Sequence, residues 1–236
     1  MDHARQPVLL KLDGTWAGQG VERVSDAGAA LQAFARMARQ HTLGAAMQRA
    51  ATDGWRHSLA RVRARRPAID LQAVVDGRPA NLAVACKDGE VLAHIAAETM
   101  ASSRPHGPAS VIRLTENEEM RAAAEALVRE LRASGLLGFD FVLDAAGNAY
   151  FLEINARATP IAALATTRSG DLAAALFRAA SGRPPPRARI PIAEPHIALF
   201  PSEAGPRGAS AWPARTYYDA PRGEPGLLAL DGFSAA

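Results

Sequence analysis

The chain has a single cysteine, Cys86, in 236 residues, so no internal disulfide framework is open to it. No run approaches the ~18 apolar residues of a membrane span. The opening Met1-Asp2-His3-Ala4-Arg5-Gln6-Pro7 lacks the apolar centre of a secretory leader, which leaves the cytoplasm as the default location. Charge of one sign is also scarce: the formal net charge is +3, and it arises largely from Arg49, Arg56, Arg61, Arg63, Arg65 and Arg66. Such a cluster can contact nucleic acid or an anionic substrate. Only Trp55 is interleaved with it, however, and single-strand binders rely on stacking aromatics; a solvated helical face is the better reading, and nucleic acid is not an expected partner. There is no internal repeat. What the chain does have is 48% hydrophobic residues, enough for a real core, over a length that suits one large domain or two small ones.

Along the chain the elements alternate in type. Val8 to Leu12 and Val21 to Val24 read as strands, and Ala29 to Gln40 has the composition of a helix. Residues 44 to 66 are basic and read as helical in part. Ile69 to Val75, Ala80 to Cys86 and Val91 to Ala96 read as strands, with Asp76-Gly77 and Asp88-Gly89 as turns. The segment Ala101 to Ser110, holding Pro105, His106, Gly107 and Pro108, is expected to be irregular. Helices are expected over Glu116 to Ala133 and Leu172 to Ala180. Beyond Gly182, the run Arg183-Pro-Pro-Pro-Arg187 and frequent glycine and proline indicate an extended tail. Strands and helices mixed in this way, with several hairpins, indicate an α+β fold with antiparallel sheets.

The densest chemistry lies between Gly135 and Arg157. Two apolar and aromatic runs, 138 to 144 and 149 to 155, flank the turn-forming Ala145-Ala146-Gly147-Asn148, the pattern of a β-hairpin. If Asp144 faces Ala149, Asp140 lies opposite Glu153 and Asn155 lies diagonal to Asp140 on the same face. The other face is then Phe139, Phe141, Leu143, Tyr150, Leu152 and Ile154, expected to be core. Opposed carboxylates sit about 5 Å apart at Cβ and repel one another unless something positive lies between them. Two carboxylates and an amide oxygen are hard donors suited to Mg²⁺, which keeps water and phosphate oxygens for its other positions. The alternative is a solvent-facing half of a hairpin whose charges keep it soluble.

A second candidate is Val8-Leu-Leu-Lys11-Leu-Asp-Gly14-Thr15-Trp16-Ala-Gly18-Gln-Gly20-Val21. A lysine near the end of an apolar strand, followed by a loop with three glycines, suits phosphate: backbone N–H groups close over the oxygens and the ammonium supplies charge. The lysine precedes the glycines, so this is neither a Walker loop nor a dinucleotide fingerprint. A glycine turn in a hairpin accounts for the pattern equally well. His94, Glu98 and His106 are candidates of lesser weight for nucleotide or substrate contact, and Cys86 reads as a small apolar core residue.

Taken in order, Lys11 with its glycine loop, Ile69-Asp-Leu-Gln72-Ala-Val-Val75-Asp-Gly, Asp140 and Glu153-Ile-Asn155-Ala-Arg157 resemble the ATP-grasp superfamily. The likeness is close over residues 7 to 24 and 69 to about 165, loose beyond, and poor over 44 to 66. It implies two α+β subdomains whose antiparallel sheets grip the nucleotide: residues 1–75 with the glycine-rich loop and 76–182 with the metal site, followed by a Pro/Gly-rich extension over 183–236. It implies that Lys11 contacts phosphate and that Gly14, Thr15, Gly18 and Gly20 belong to the loop covering it. Gln72 and the backbone at Val75 would read the adenine edge. Asp140, Glu153 and Asn155 would hold Mg²⁺ (or Mn²⁺), and Arg157, with Lys11, would stabilise charge on a transferred phosphoryl group. The implied chemistry is ATP-dependent activation of a carboxylate as an acyl phosphate, followed by attack of an amine or similar nucleophile. Family members normally carry a further N-terminal region of about domain size, whereas Lys11 is preceded here by only ten residues. The expectation is therefore a ligase half that works with a separate substrate-binding chain, or else a nucleotide-binding or regulatory subunit without catalysis.

Overall fold

The computed structural model describes residues 7–12, 20–39, 68–103, 107–187, 189–200, 213 and 215–221. Its contacts divide the chain into two units, Met1–Val74 and Val75–Ala236. In the first unit β1 (Val8–Leu12) pairs antiparallel with β2 (Val21–Val24) on one side and β3 (Ile69–Ala73) on the other. Alternation along β1 sends Leu10 and Leu12 into a core with Val24, leaving Lys11 for the opposite face. Helix α1 (Ala27–Arg39) covers the apolar face with Ala33 and Met37, four residues apart and so on one stripe. Asp26 starts it by accepting the Ala29 N–H at 2.8 Å, two residues earlier than the composition suggests. Glu22 on β2 pairs with Arg36 on α1 at 2.6 Å. Gln40, the basic segment 44–66 with Trp55, and the loop residues Gly14, Thr15, Trp16 and Gly18 lie outside the described residues.

The second unit is built on β4 (Arg78–Lys87), β5 (Glu90–Ser102), β6 (Ala109–Thr115), β7 (Gly135–Leu143), β8 (Ala149–Asn155), β11 (His196–Leu199) and β12 (Thr216–Asp219). These form one sheet in the order β12-β11-β6-β5-β4-β7-β8, antiparallel except for the β11–β12 pair. A small pair, β9 (Ala165–Thr166) and β10 (Gly170–Asp171), stands apart from it. Helix α2 (Glu118–Glu130) presents Met120, Ala124 and Val128 to one sheet face, against Leu82, Val84, Phe139 and Phe141. Helix α3 (Leu172–Ser181), with a 3₁₀ turn at Pro160–Ala163, covers the other face over Ala83, Ala85, Ile95 and Ile112. The middle of β4 is therefore enclosed on both faces. That is why Leu82-Ala-Val-Ala-Cys86 is uniformly apolar, each residue at most 1% exposed, instead of alternating.

Both helices of this unit begin on side-chain caps. Asn117 accepts the Met120 N–H at 2.9 Å and Asp171 accepts the Ala174 N–H at 2.9 Å, each satisfying a donor that the first turn leaves open. Glycine at 182, with φ 68°, ends α3 in the left-handed conformation. The antiparallel α+β expectation is met, with two local corrections. The segment expected to be irregular from Ala101 is partly strand, because β5 continues to Ser102 and β6 opens at Ala109; His106 lies outside the described residues. The region beyond Gly182 is not only an extended tail: β11 pairs with β6 and buries Ile197 and Leu199. Cys86 is fully buried core, as expected, and its burial pushes the thiol pKa up.

Candidate functional site

The hairpin sets the geometry. Asp140 on β7 pairs directly with Glu153 on β8, and Gly138 pairs with Asn155. Residues opposite one another, and those two apart along a strand, share a face, so Asp140, Glu153 and Asn155 stand together as the alternation requires. Nearer the loop the pairing is Leu143 with Ala149, not Asp144 with Ala149. A bulge between Asp140 and Phe141 absorbs the difference: Leu152 is the extra residue, and Phe151 takes the place opposite Phe141. This corrects the expected core face. Phe139, Phe141 and Leu143 are buried, but Tyr150 is 43% and Ile154 37% exposed, because β8 is the edge of the sheet among the described residues. Phe151 instead packs edge-on to Phe141, with ring centroids 5.6 Å apart.

The loop is held independently of the site. Asp144 accepts the backbone N–H groups of Ala146 and Asn148, both at 2.9 Å, and the Asn148 side-chain amide at 2.8 Å. That amide, together with the loop N–H groups, keeps the Asp144 carboxyl below its ordinary pKa. Asn117 and Glu119, from the start of α2, bind Gly147 O and the Ala149 N–H, which ties the turn to the helix.

Around Asp140 two amides converge. Asn155 Nδ2 donates to Oδ2 at 2.9 Å, and Asn81 Nδ2, from β4, donates to Oδ1. Asn81 in turn accepts the Thr159 hydroxyl at 3.4 Å. Neither Asn81 nor Thr159 was singled out by the motif. The available signal was a lone amide in the apolar run Ala80-Asn-Leu-Ala-Val-Ala-Cys86. Arg157 follows two residues after Asn155, exposed, its backbone N–H turning back to Asn155 O at 2.8 Å and its guanidinium to Ala158 O at 3.2 Å.

The donor set can be tested against a metal. Two carboxylates and an amide oxygen share a face, while among the described residues no three His, Cys, Asp or Glu side chains gather to form a cage. That fits Mg²⁺, which takes one or two carboxylates and completes its shell with water and phosphate oxygens.

In the first unit, Lys11 pairs with Val21 and Asp70, and Leu9 with Gln72, which brings Lys11 and Gln72 to one face of that sheet, away from α1. Gly20 closes the hairpin, its carbonyl accepting the Leu12 N–H at 2.8 Å, with φ 69°. Val75 opens the second unit.

Of the lesser candidates, Glu98 is only 5% exposed and accepts from Arg78 at 2.8 Å and Arg113 at 2.9 Å. Burial alone would raise its carboxyl; the two guanidiniums outweigh that and hold it low. His94 lies 3.5 Å from Glu116. Glu98 stands on the strand pair Glu98–Ala80, on the α2 face, whereas Asn81 and Asp140 occupy the alternate one. It is therefore not part of the Asp140 site.

An ATP-grasp domain is matched over residues 50–160. Over those residues the chain is similar to an ATP-grasp domain. The match includes Gln72, Val75, Asp140, Glu153, Asn155 and Arg157; it also takes in residues 50–66, where the sequence alone shows a poor likeness, and does not extend to Lys11. Among solved structures, the chain is similar to the biotin carboxylase domain of the Hydrogenobacter thermophilus 2-oxoglutarate carboxylase, solved with MgADP, ADP and bicarbonate: 18% identity over 80% of this chain and 39% of that one, TM-score 0.54. It is also similar to the carboxyaminoimidazole ribonucleotide synthase of Aspergillus clavatus, with 16% identity, 80% and 44% coverage and TM-score 0.49. A third is the L-amino acid ligase of Bacillus licheniformis, with 18% identity, 74% and 41% coverage and TM-score 0.49. The chain thus spans about two-fifths of the length of these structures. No curated protein matches it. Among the described residues no helix is long and apolar enough to cross a membrane.

Proposed function

We propose that this chain binds ATP with Mg²⁺ and serves a ligase reaction in which a carboxylate is activated and an amine or similar nucleophile is joined to it. The observation that carries the reading is the direct pairing of Asp140 with Glu153, Asn155 beside them, on one face of the sheet. Opposed like charges are unfavourable in a sheet, and a cation bound between them removes that cost. The related fold solved with MgADP supports the same ligand.

Asp140, Glu153 and Asn155 would hold the Mg²⁺, which when bound neutralises charge on the phosphate oxygens. Lys11 would place its ammonium against phosphate, with Gly14, Thr15, Gly18 and Gly20 in the covering loop, and Gln72 and the Val75 backbone would read the adenine edge. In the first step a substrate carboxylate oxygen attacks the γ-phosphorus and ADP leaves, giving an acyl phosphate. In the second the nucleophile attacks the acyl carbon, inorganic phosphate leaves and the nucleophile's proton passes to solvent or base. Arg157 would stabilise negative charge on the transferred group, since a guanidinium is a fixed, permanently charged donor fork.

Calorimetric titration with a non-hydrolysable ATP analogue, with and without Mg²⁺, tests the reading. Mg²⁺-dependent binding that is lost in Glu153→Ala and weakened in Lys11→Ala is expected; binding indifferent to Mg²⁺ and to both substitutions would refute it. Release of ADP on adding panels of carboxylates and amines then separates a ligase from a subunit that only binds nucleotide.

A further inference from the structure

Resting on the metal-binding reading above, we infer that Thr159 and Asn81 act as a positioning pair that fixes the Asp140 carboxylate and thereby favours a small divalent cation over a larger one. Asn81 lies on β4 beside the buried Ala83 and Ala85, a sheet face where an apolar side chain would be the cheaper occupant because part-buried polar groups cost free energy unless they are paired. Both ends of its amide are used. Thr159 donates its hydroxyl to Asn81 Oδ1, which leaves Nδ2 for Asp140 Oδ1. Reversing that amide would set a carbonyl oxygen against a carboxylate.

Thr159 itself is 8% exposed, at the start of the 3₁₀ turn that follows Arg157. It fits there because residue 138 is glycine: a Cβ at 138 would lie 2.2 Å from Thr159 Cγ2. The relay Thr159–Asn81–Asp140 is thus packed in place and runs in one direction.

Two consequences follow from the chemistry of the donors. An amide holds a carboxylate without cancelling its charge, as an arginine or lysine would, so the negative charge of Asp140 stays available to a cation. Each carboxylate oxygen offers about two lone pairs, and Asn81 and Asn155 take one on each oxygen, leaving one apiece. A carboxylate gripped on both oxygens also has little freedom to swing. Mg²⁺ demands near-octahedral geometry at 2.0–2.1 Å, whereas Ca²⁺ takes looser shells at 2.3–2.6 Å; a fixed carboxylate suits the former.

The test uses the full chain and a non-hydrolysable ATP analogue, titrated calorimetrically at varied Mg²⁺ and, separately, varied Ca²⁺. Asn81→Leu, which keeps the shape and removes both bonds, is expected to raise the Mg²⁺ requirement roughly 10–100-fold, the usual effect of losing an outer-shell partner, and the Ca²⁺ requirement by a clearly smaller factor. Thr159→Val, which removes only the hydroxyl, should move the Mg²⁺ to Ca²⁺ ratio the same way, and Thr159→Ser should restore it; this variant decides the matter if Asn81→Leu does not fold. An equal change for both cations, or none, in a protein whose wild type requires Mg²⁺ would overturn the positioning role alone. A wild type whose analogue binding ignores Mg²⁺ would overturn the metal reading beneath it.

Discussion

Asp140→Asn separates a structural from a metal-binding role, because its effects with and without ligand have different sizes. Without ligand, the substitution removes the negative charge opposite Glu153, a relief of about 0.2–1 kcal/mol for a directly opposed like-charged pair. Against that, Asp140 accepts two amide N–H groups, from Asn81 and Asn155. An asparagine has one carbonyl oxygen to offer them, so one bond is lost, at about 1 kcal/mol. The two effects nearly cancel, and the ligand-free protein is expected to melt within about 3 °C of wild type on the scale for a chain of this length. With Mg²⁺ and a non-hydrolysable ATP analogue at about 100 times Kd, the wild type gains about 2.7 kcal/mol by mass action. That gain corresponds to a rise of about 5–10 °C in Tm. The variant, with one of its two facing carboxylates gone, should lose most of that rise, and chelation of Mg²⁺ should remove it from the wild type alike. Scanning calorimetry on both proteins, with and without EDTA, reads all four states. A variant that keeps the full Mg²⁺-dependent rise would refute the metal assignment, and one that melts far lower without ligand would show that Asp140 is chiefly structural.

Glu98→Gln tests the buried ion triad. The folded carboxyl is held below its unfolded value near 4.3 by Arg78 and Arg113, so its stabilisation is fully present above that value and is lost as pH falls through the lowered folded one. The wild type should exceed the variant by about 2 kcal/mol at neutral pH, reduced from the buried-pair range because both arginines are half-exposed, and urea melts should show the gap closing below about pH 4; a constant gap would refute the ionic account. Gly77→Ala would set a Cβ 2.2 Å from Leu143 O and 2.7 Å from Val142 Cγ1. Backbone cannot give way as a side-chain tip can, so a loss of about 3 kcal/mol is expected in denaturant melts, and a neutral result would mean that the bend before β4 relaxes freely. Phe139→Ala, at a fully buried ring against α2, should cost about 3–5 kcal/mol without altering the Mg²⁺ requirement of nucleotide binding; a selective change in that requirement would tie the core to the site.

The sequence carried the opposed carboxylates because the signal was redundant. Asp140, Glu153 and Asn155 recur at even spacing among aromatics, and a slip of one residue would have turned every charge inward. The bulge had no such signal: Tyr150, Phe151 and Leu152 are all apolar, so the pattern does not say which of them leaves the ladder, and the choice falls to packing against Phe141. Strand β6 is illegible in the sequence for a related reason, since Arg113 interrupts its apolar run and pairing with β5 and β11 makes it a strand. Asn81 and Thr159 lie 59 and 19 residues from Asp140 in sequence; what links them is the β4–β7 register and the gap left by Gly138.

This division also describes how the candidate site is built. Asp140 and Asn81 stand on β7 and β4, strands paired on both sides, whereas Glu153 and Asn155 stand on β8, which among the described residues has β7 as its single neighbour, with a bulge between them. One half of the donor set is therefore fixed by the interior of the sheet, and the other hangs on one ladder of hydrogen bonds. Edge strands open at lower free energy than central ones. A cation bridging the two halves would draw the edge onto the interior, so that metal binding and the order of β8 would rise together.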